Sequence, residues 1–250
     1  MKRIHFFNAW LDPLTMEETL RRVQDIIQER KPEQHVVINV AKLVLMQKNK
    51  ELRDIVNSCG LINADGQGIV WGARLLGLQI PERVTGIDLF MNIVKLADRK
   101  NYKVYFLGAK ETTVKRVVDI LSSDAPGLQA AGCRNGYFSA EEEKGVAEAI
   151  RDSGADILFV AMSSPKKEFF LKKYLDLMQV PFTMGVGGSF DVVAGETLRA
   201  PLWMQQAGLE WFFRFLNEPG RMWKRYLVTN AIFFGMLLKA LISGKGKYCE

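Results

Sequence analysis

Val104-Tyr105-Phe106-Leu107-Gly108-Ala109, followed by Val114, Val117, Val118 and Leu121, is the stretch that decides the fold. Its first four residues are an apolar run closed by a turn former, the signature of a strand buried on both faces of a parallel sheet. The aliphatic residues after it share one face of a helix over 111–121. The same pattern recurs along the chain. Residues 35–39, 157–162 and 182–186 read as further buried strands. Residues 15–29 and 140–151 read as amphipathic helices, with Leu20, Val23, Ile26 and Ile27 on the apolar side of the first and Val146, Ala149 and Ile150 on that of the second. Alternation of this kind predicts a Rossmann-like α/β fold: an open, mainly parallel sheet with helices on both faces. Ligands in such sheets bind beyond the carboxyl ends of the strands, so a site is expected on the loops after Asn39, Leu107, Met162 and Val186.

Near residue 200 the pattern changes. Residues 201–216 are aromatic and helical in spacing, Pro219-Gly220 interrupts them, and 222–243 is a basic start followed by an apolar helix. The apolar part, 227–243, is seventeen residues long, short of the roughly twenty that span a bilayer. A helix lying in the membrane interface fits it, and the alternative is a helix packed on the domain with its basic residues solvated. The net charge is +6, and residues 211–250 carry seven basic against two acidic side chains, so nearly all of the excess sits in the tail. A basic tail favours an anionic partner. The predicted division is an α/β core over 1–195 and a basic, aromatic, helical appendage over 196–250 that docks on an anionic membrane surface. The appendage is also expected to complete the site, so that removing residues after about Gly195 leaves a folded but largely inactive core. Cys59, Cys133 and Cys249 form no framework, and no long apolar run follows Met1-Lys2-Arg3, which predicts a chain on the cytoplasmic side.

Five motifs can carry chemistry. Asn63-Ala64-Asp65-Gly66-Gln67-Gly68 reads as a strand end, a tight turn and a helix start. Glycines there admit a ligand to the backbone, and Asp65 is either a general base or the cap of the helix beginning near Gln67. In Arg83-Val84-Thr85-Gly86-Ile87-Asp88, Arg83 fits a phosphate, while Thr85 and Asp88 fit a helix cap. Leu107-Gly108-Ala109 has a nucleotide-loop shape without the full dinucleotide motif. In Ser163-Ser164-Pro165-Lys166-Lys167-Glu168, Ser164 fits an N-cap, Pro165 the first helical position and Glu168 the partner of a capping box, and Lys166 and Lys167 at a helix start suit an anion. Finally, Gly185-Val186-Gly187-Gly188-Ser189-Phe190-Asp191 implies close backbone contact with a ligand or a neighbouring helix. Asp191 and Arg199 either reach the site or pair with each other.

Several function classes are excluded by absence. His5 and His35 lack a zinc-ligand pattern, no Asp-x-Asp occurs, and no metal or cofactor is expected. There is no phosphate-loop lysine motif, no nucleophile elbow, and no helix-turn-helix or stacking motif, so nucleic acid is not an expected partner.

Taken in order, these motifs resemble the WecG/TagA/CpsF glycosyltransferase family. Arg199-Ala200-Pro201-Leu202-Trp203-Met204, Gly208-Leu209-Glu210-Trp211 and the segment from Glu218 to Tyr226 extend the match over nearly the whole chain. The resemblance implies transfer of N-acetylmannosamine from a UDP donor to polyprenyl-diphosphate-linked N-acetylglucosamine, with inversion, a β-1,4 bond and no metal. It makes Asp65 the base. Asn39, Asn63, Gly66, Gln67, Arg83, Thr85, Gly108, Lys166, Lys167, Glu168, Gly187, Gly188 and Asp191 would bind substrate. Arg214, Arg221, Lys224 and Arg225 would meet the diphosphate or the membrane. It also implies peripheral attachment at the cytoplasmic face, and the exposed apolar tail can pair protomers into a homo-oligomer. Two departures bear on the donor: Lys167 stands where the family usually has Gln, and Val37-Ile38 precede Asn39 where a Thr is common. An N-acetylmannosaminuronic acid donor and a non-catalytic, nucleotide-binding role in wall-polymer assembly are the alternatives.

Overall fold

The structure is a computed structural model that describes residues 2–217 and 219–243, with backbone alone over 221–226. It opens with an antiparallel hairpin, β1 (Ile4–Phe6) and β2 (Ala9–Leu11), before helix α1 (Met16–Glu29). Thr15 and Glu18 start α1 with a reciprocal capping box. Next come β3 (Glu33–Ile38), α2 (Val40–Lys48), α3 (Lys50–Asn57), β4 (Leu61–Ala64), α4 (Gln67–Leu75) and α5 (Gly86–Lys100). The second half runs β5 (Lys103–Gly108), α6 (Glu111–Asp124), β6 (Gln129–Arg134), α7 (Glu143–Asp152), β7 (Ile157–Ala161), α8 (Lys166–Met178), β8 (Phe182–Gly185) and α9 (Ser189–Val193). Three helices close the chain: α10 (Leu202–Gln206), α11 (Glu210–Asn217) and α12 (Pro219–Ile242).

Six strands pair in parallel in the order β4-β3-β8-β7-β5-β6. The expected α/β architecture is present. Alternation along the strands divides the core between the two faces. Val104, Phe106, Ile157 and Phe159 pack with α1, α5 and α6. Tyr105, Leu107, Leu158 and Val160 point the other way, onto α7 and α8. At the β4 edge of that second face, Val36, Ile38 and Ile62 pack with α2, α3 and α4. All six strands enter the sheet in the same direction, so their carboxyl ends gather Asn39, Asp65, Gly108, Met162 and Val186 on one edge.

Helix α12 joins this second face. Phe233, Leu237 and Ala240, spaced four and three residues apart, form a stripe buried in the cluster around α2. Phe233 meets the rings of Phe6 and Phe7 edge-on at 6.2 and 6.3 Å. Its outer face leaves Leu227, Val228, Phe234, Leu238 and Leu241 exposed. The last helix thus has the packed stripe of one expectation and the uncovered apolar face of the other. A chain cut after Gly195 would lose three residues of this core cluster. No described helix is long and apolar enough to cross a membrane.

Candidate active site

Asp65 follows β4 directly, and its backbone N–H still donates to Ile38 on β3 at 3.0 Å. Its carboxylate lies at the sheet's carboxyl edge, half-buried. It does not cap α4: the N-cap there is Gly66, with no side-chain cap bond. Instead Oδ1 accepts the N–H of Gly86, the first residue of α5, at 3.2 Å. Among the described residues Oδ2 has no hydrogen-bond partner. Burial pushes the Asp65 pKa above its ordinary value, and Glu210 adds to the rise. Arg214, the Gly86 N–H and Arg83 pull it back, Arg214 most strongly, without cancelling the effect of burial. A carboxylate raised in this way, with one oxygen fixed and the other open, is suited to taking a proton from a bound hydroxyl.

The cations beside Asp65 come from both parts of the chain. Arg83 precedes α5, whose N-cap is Thr85, the Thr85 hydroxyl accepting from Asp88 N–H at 3.2 Å. The Arg83 guanidinium donates to the Gln205 carbonyl at 3.0 Å and pairs with Glu210 at 3.1 Å. Arg199 pairs with Asp88 at 2.6 Å and lies 3.8 Å from the other Glu210 oxygen. So Arg199 meets Asp88 and Glu210, where pairing with Asp191 was one expectation. Gly208, with φ +73, lets the turn before α11 lie on Gln67, since a Cβ there would stand 2.6 Å from Gln67 Cγ. Segment 199–214 therefore closes over the Asp65 shelf through polar contacts, and no residue of α11 is buried.

A second charged group lies deeper on the same edge. Lys42 Nζ donates to Glu168 Oε1 at 2.8 Å, and Lys167 Nζ lies 3.4 Å from the same oxygen. The side chains of Lys42 and Glu168 are only 7% and 1% exposed. Lys167 lies against Gly185 at the end of β8, where an added Cβ would meet its side chain at 2.7 Å. Burial drives the Glu168 pKa up, but Lys42 and Lys167 outweigh it and hold the carboxyl below its ordinary value. Glu168 Oε2 is buried without a hydrogen-bond partner among the described residues. The expected capping box at α8 is absent because Glu168 turns inward to Lys42, and Pro165 takes the N-cap position expected for Ser164.

The other expected site residues divide by depth. Asn39 caps α2 at the end of β3, accepting from Lys42 N–H at 3.0 Å. Gly66 lies against it, 3.4 Å separating the Asn39 Cβ from a Cβ placed on the glycine. Asn63 sits beneath the shelf, fully buried, bonded to His35 and to Thr19 of α1 at 3.0 Å each. Gly108 takes φ +127 with the Ala161 backbone so close that a Cβ would stand 2.4 Å from its carbonyl oxygen. Gly187 and Gly188 lead into α9, Gly187 beside open space, while a Cβ on Gly188 would lie 3.6 Å from Oδ2 of Asp191 in the first turn of that helix. Lys166 is exposed, its ammonium 4.9 Å over the Phe138 ring. The side chains of Arg221, Lys224 and Arg225 lie outside the described residues.

Sequence reasoning did not single out Lys42 or Glu210 as site residues. Lys42 had one signal, a lone charge inside the apolar run Val40-Ala41-Lys42-Leu43-Val44-Leu45-Met46. Glu210 had only its place in the motif Gly208-Leu209-Glu210-Trp211, since an acid in a first helical turn is ordinary.

Comparison with known proteins gives the family. The profile of the Glycosyl transferase WecG/TagA/CpsF family matches residues 4–247. An N-acetylglucosaminyldiphosphoundecaprenol N-acetyl-beta-D-mannosaminyltransferase from Bacillus spizizenii (strain ATCC 23059 / NRRL B-14472 / W23) is 34% identical over 201 residues, 80% of this chain and 77% of that protein. A protein of the same name from Bacillus subtilis (strain 168) is 36% identical over 180 residues, covering 72% of this chain and 69% of the other. With the motifs, the parallel sheet and a match from end to end, the chain belongs to the WecG/TagA/CpsF glycosyltransferase family.

Proposed function

We propose that the protein transfers N-acetylmannosamine from UDP-N-acetylmannosamine to undecaprenyl-diphosphate-linked N-acetylglucosamine, in the assembly of a wall teichoic acid linkage unit. The names of its two relatives support the acceptor and the sugar. The observation that carries the mechanism is Asp65: a half-buried carboxylate at the sheet's carboxyl edge, raised in pKa, with one oxygen fixed by Gly86 and cations at its side. Asp65 takes the proton of the acceptor 4-hydroxyl as that oxygen bonds to the anomeric carbon. The bond from that carbon to the UDP oxygen breaks on the opposite face, which inverts the centre and gives a β-1,4 linkage. Arg214 and Arg83 answer the charge that gathers on the diphosphate, with no metal required. Asn39, Gln67, Lys167, Gly187, Gly188 and Asp191, from the strand ends, loops and first helical turns of the same sheet edge, would hold donor and acceptor.

The assay supplies UDP-N-acetylmannosamine and a lipid-diphosphate N-acetylglucosamine. Wild-type protein is expected to form the disaccharide, and Asp65→Asn to lose about 10²–10⁴-fold in kcat. Full activity in Asp65→Asn would remove the mechanism. A preference for the uronic acid donor would move the reading to that substrate.

The acceptor's lipid tail calls for a membrane contact, and the appendage offers one. Leu202, Trp203 and Leu216 are 73%, 64% and 57% exposed, and the outer face of α12 continues the apolar surface. Peripheral docking there, on the cytoplasmic face, would bring the acceptor to the Asp65 shelf. Flotation with anionic vesicles is expected for wild-type protein and expected to weaken in Trp203→Glu combined with Trp211→Glu. Wild-type protein left at the bottom of the gradient would contradict the docking.

A further inference from the structure

Glu210 is the first residue of α11, and an acid there ordinarily does no more than face the helix dipole in solvent. This one is placed differently. Its side chain is only 16% exposed, and its two oxygens meet guanidinium groups from two separate segments. Oε2 lies 3.1 Å from Arg83 Nη1, and Oε1 lies 3.8 Å from Arg199 Nε. Each arginine is tied again on its far side, Arg83 to the Gln205 carbonyl and Arg199 to Asp88 beside the Thr85 cap. Four residues further along α11, one turn from Glu210, is Arg214, the cation acting most strongly on Asp65. With no buried residue in α11, its seat over the shelf depends on this polar latch.

We infer that Glu210 is a positioning residue for the transfer: it gathers Arg83 and Arg199 and seats α11 so that Arg214 faces Asp65. This role rests on the transferase reading above. It differs from a merely structural pairing because Glu210 also acts on Asp65 through space. The charged groups bearing on Asp65 are Arg214 and Glu210 from α11 and Arg83 from the segment before α5, with the Gly86 N–H from α5 itself. Among them Glu210 is the one that raises the Asp65 pKa and Arg214 the one that lowers it most, so opening the latch removes the larger influence and the Asp65 pKa rises.

The test measures kcat/KM against pH for wild type, Glu210→Gln and Glu210→Asp, with thermal melts alongside. Glu210→Gln is expected to lose about tenfold or more in kcat/KM through misplacement of the cations. Its acid limb should move to higher pH, because the loosened Arg214 pulls on Asp65 more strongly than Glu210 pushes, and its melting curve should stay cooperative. Glu210→Asp keeps the charge and shortens the reach, so it should lose rate with its acid limb near that of wild type. An unchanged kcat/KM in Glu210→Gln, or a loss with an unmoved acid limb, would overturn the role. A carbon-13 NMR titration of the Asp65 carboxyl, assigned by its loss in Asp65→Asn, gives an answer independent of turnover. Equal Asp65 titration in wild type and Glu210→Gln refutes the coupling even if the substrates have been misjudged, whereas wild-type inactivity with a raised Asp65 titration in Glu210→Gln faults the substrates alone.

Discussion

Asp65 and Glu168 are two carboxylates on the same edge of one sheet, and their surroundings drive them in opposite directions. At Asp65 burial outweighs a backbone amide and two flanking arginines, so the proton is held more tightly than in water. At Glu168 burial is also the largest influence, yet two lysines within 3.4 Å overcome it and the group stays ionised. The difference is where the cations stand. Lys42 and Lys167 touch Glu168 from inside the core, in low dielectric. Arg214 approaches Asp65 from an exposed helix, where water weakens its hold. Carboxylates pushed apart in this way take separate tasks: Glu168 keeps two buried ammonium groups in place beside β8, and Asp65 is the one suited to the proton transfer of the proposed reaction.

The sharpest break in that comparison is Glu168→Ala. It leaves Lys42 buried without the carboxylate it bonds at 2.8 Å and takes from Lys167 the one 3.4 Å away, and the expected loss is about 3–5 kcal/mol of stability. Urea melts at neutral pH measure it. A loss below 1 kcal/mol would mean that the lysines find water or another partner, and that Glu168 does not anchor them. The pH dependence has a definite sign. A carboxyl whose folded pKa is depressed adds stability above its unfolded value and loses it as pH falls through the folded one. Wild-type protein should therefore shed the Glu168 contribution on the acid side of the ordinary glutamate range, and Glu168→Ala should show a flatter stability curve there.

The two regions also differ in how far the chain announced them. Asp65 stood out in the sequence because a strand end, two glycines and a helix start surround it. The central strands were legible for a similar reason, since burial on both faces demands an unbroken apolar run, as in β5 and β7. Edge strand β6, Gln129–Arg134, has no fully buried residue, so its composition carries no such demand. The hairpin of Ile4–Leu11 is too short to show a period, although Phe6 and Phe7 end up against Phe233 near the other end of the chain. Contacts of that range leave no local trace. The same holds for the Lys42–Glu168 pair, 126 residues apart, and for Arg83 with Glu210. The general location of the site was readable from motifs on loops. The charges that tune it were not, because pairing across the fold depends on which helix faces lie against each other.

The smallest expected effect tests the Asp65 side of the comparison and has the less intuitive sign. Because its folded pKa is raised, the native state binds more proton than the unfolded chain between the unfolded and folded values. Stability therefore falls as pH rises through that window, and the full cost of holding the charge is present at neutral pH. Asp65→Asn removes the charge but keeps an oxygen that accepts the Gly86 N–H. It also gives up the attraction of Arg214 and Arg83, which works against the gain. Burial is the larger influence, so the net change should be a gain of about 0.5–2 kcal/mol, the usual yield when a functional group is replaced for stability. For a chain of this size that is a rise of about 2–4 °C in Tm per kcal/mol. The gain should shrink as the medium is acidified through the Asp65 pKa, because the wild-type carboxyl then takes up its own proton. An Asp65→Asn protein that melts below wild type at neutral pH would show that the arginines, and not burial, decide the state of this carboxylate, and Asp65 would then resemble Glu168.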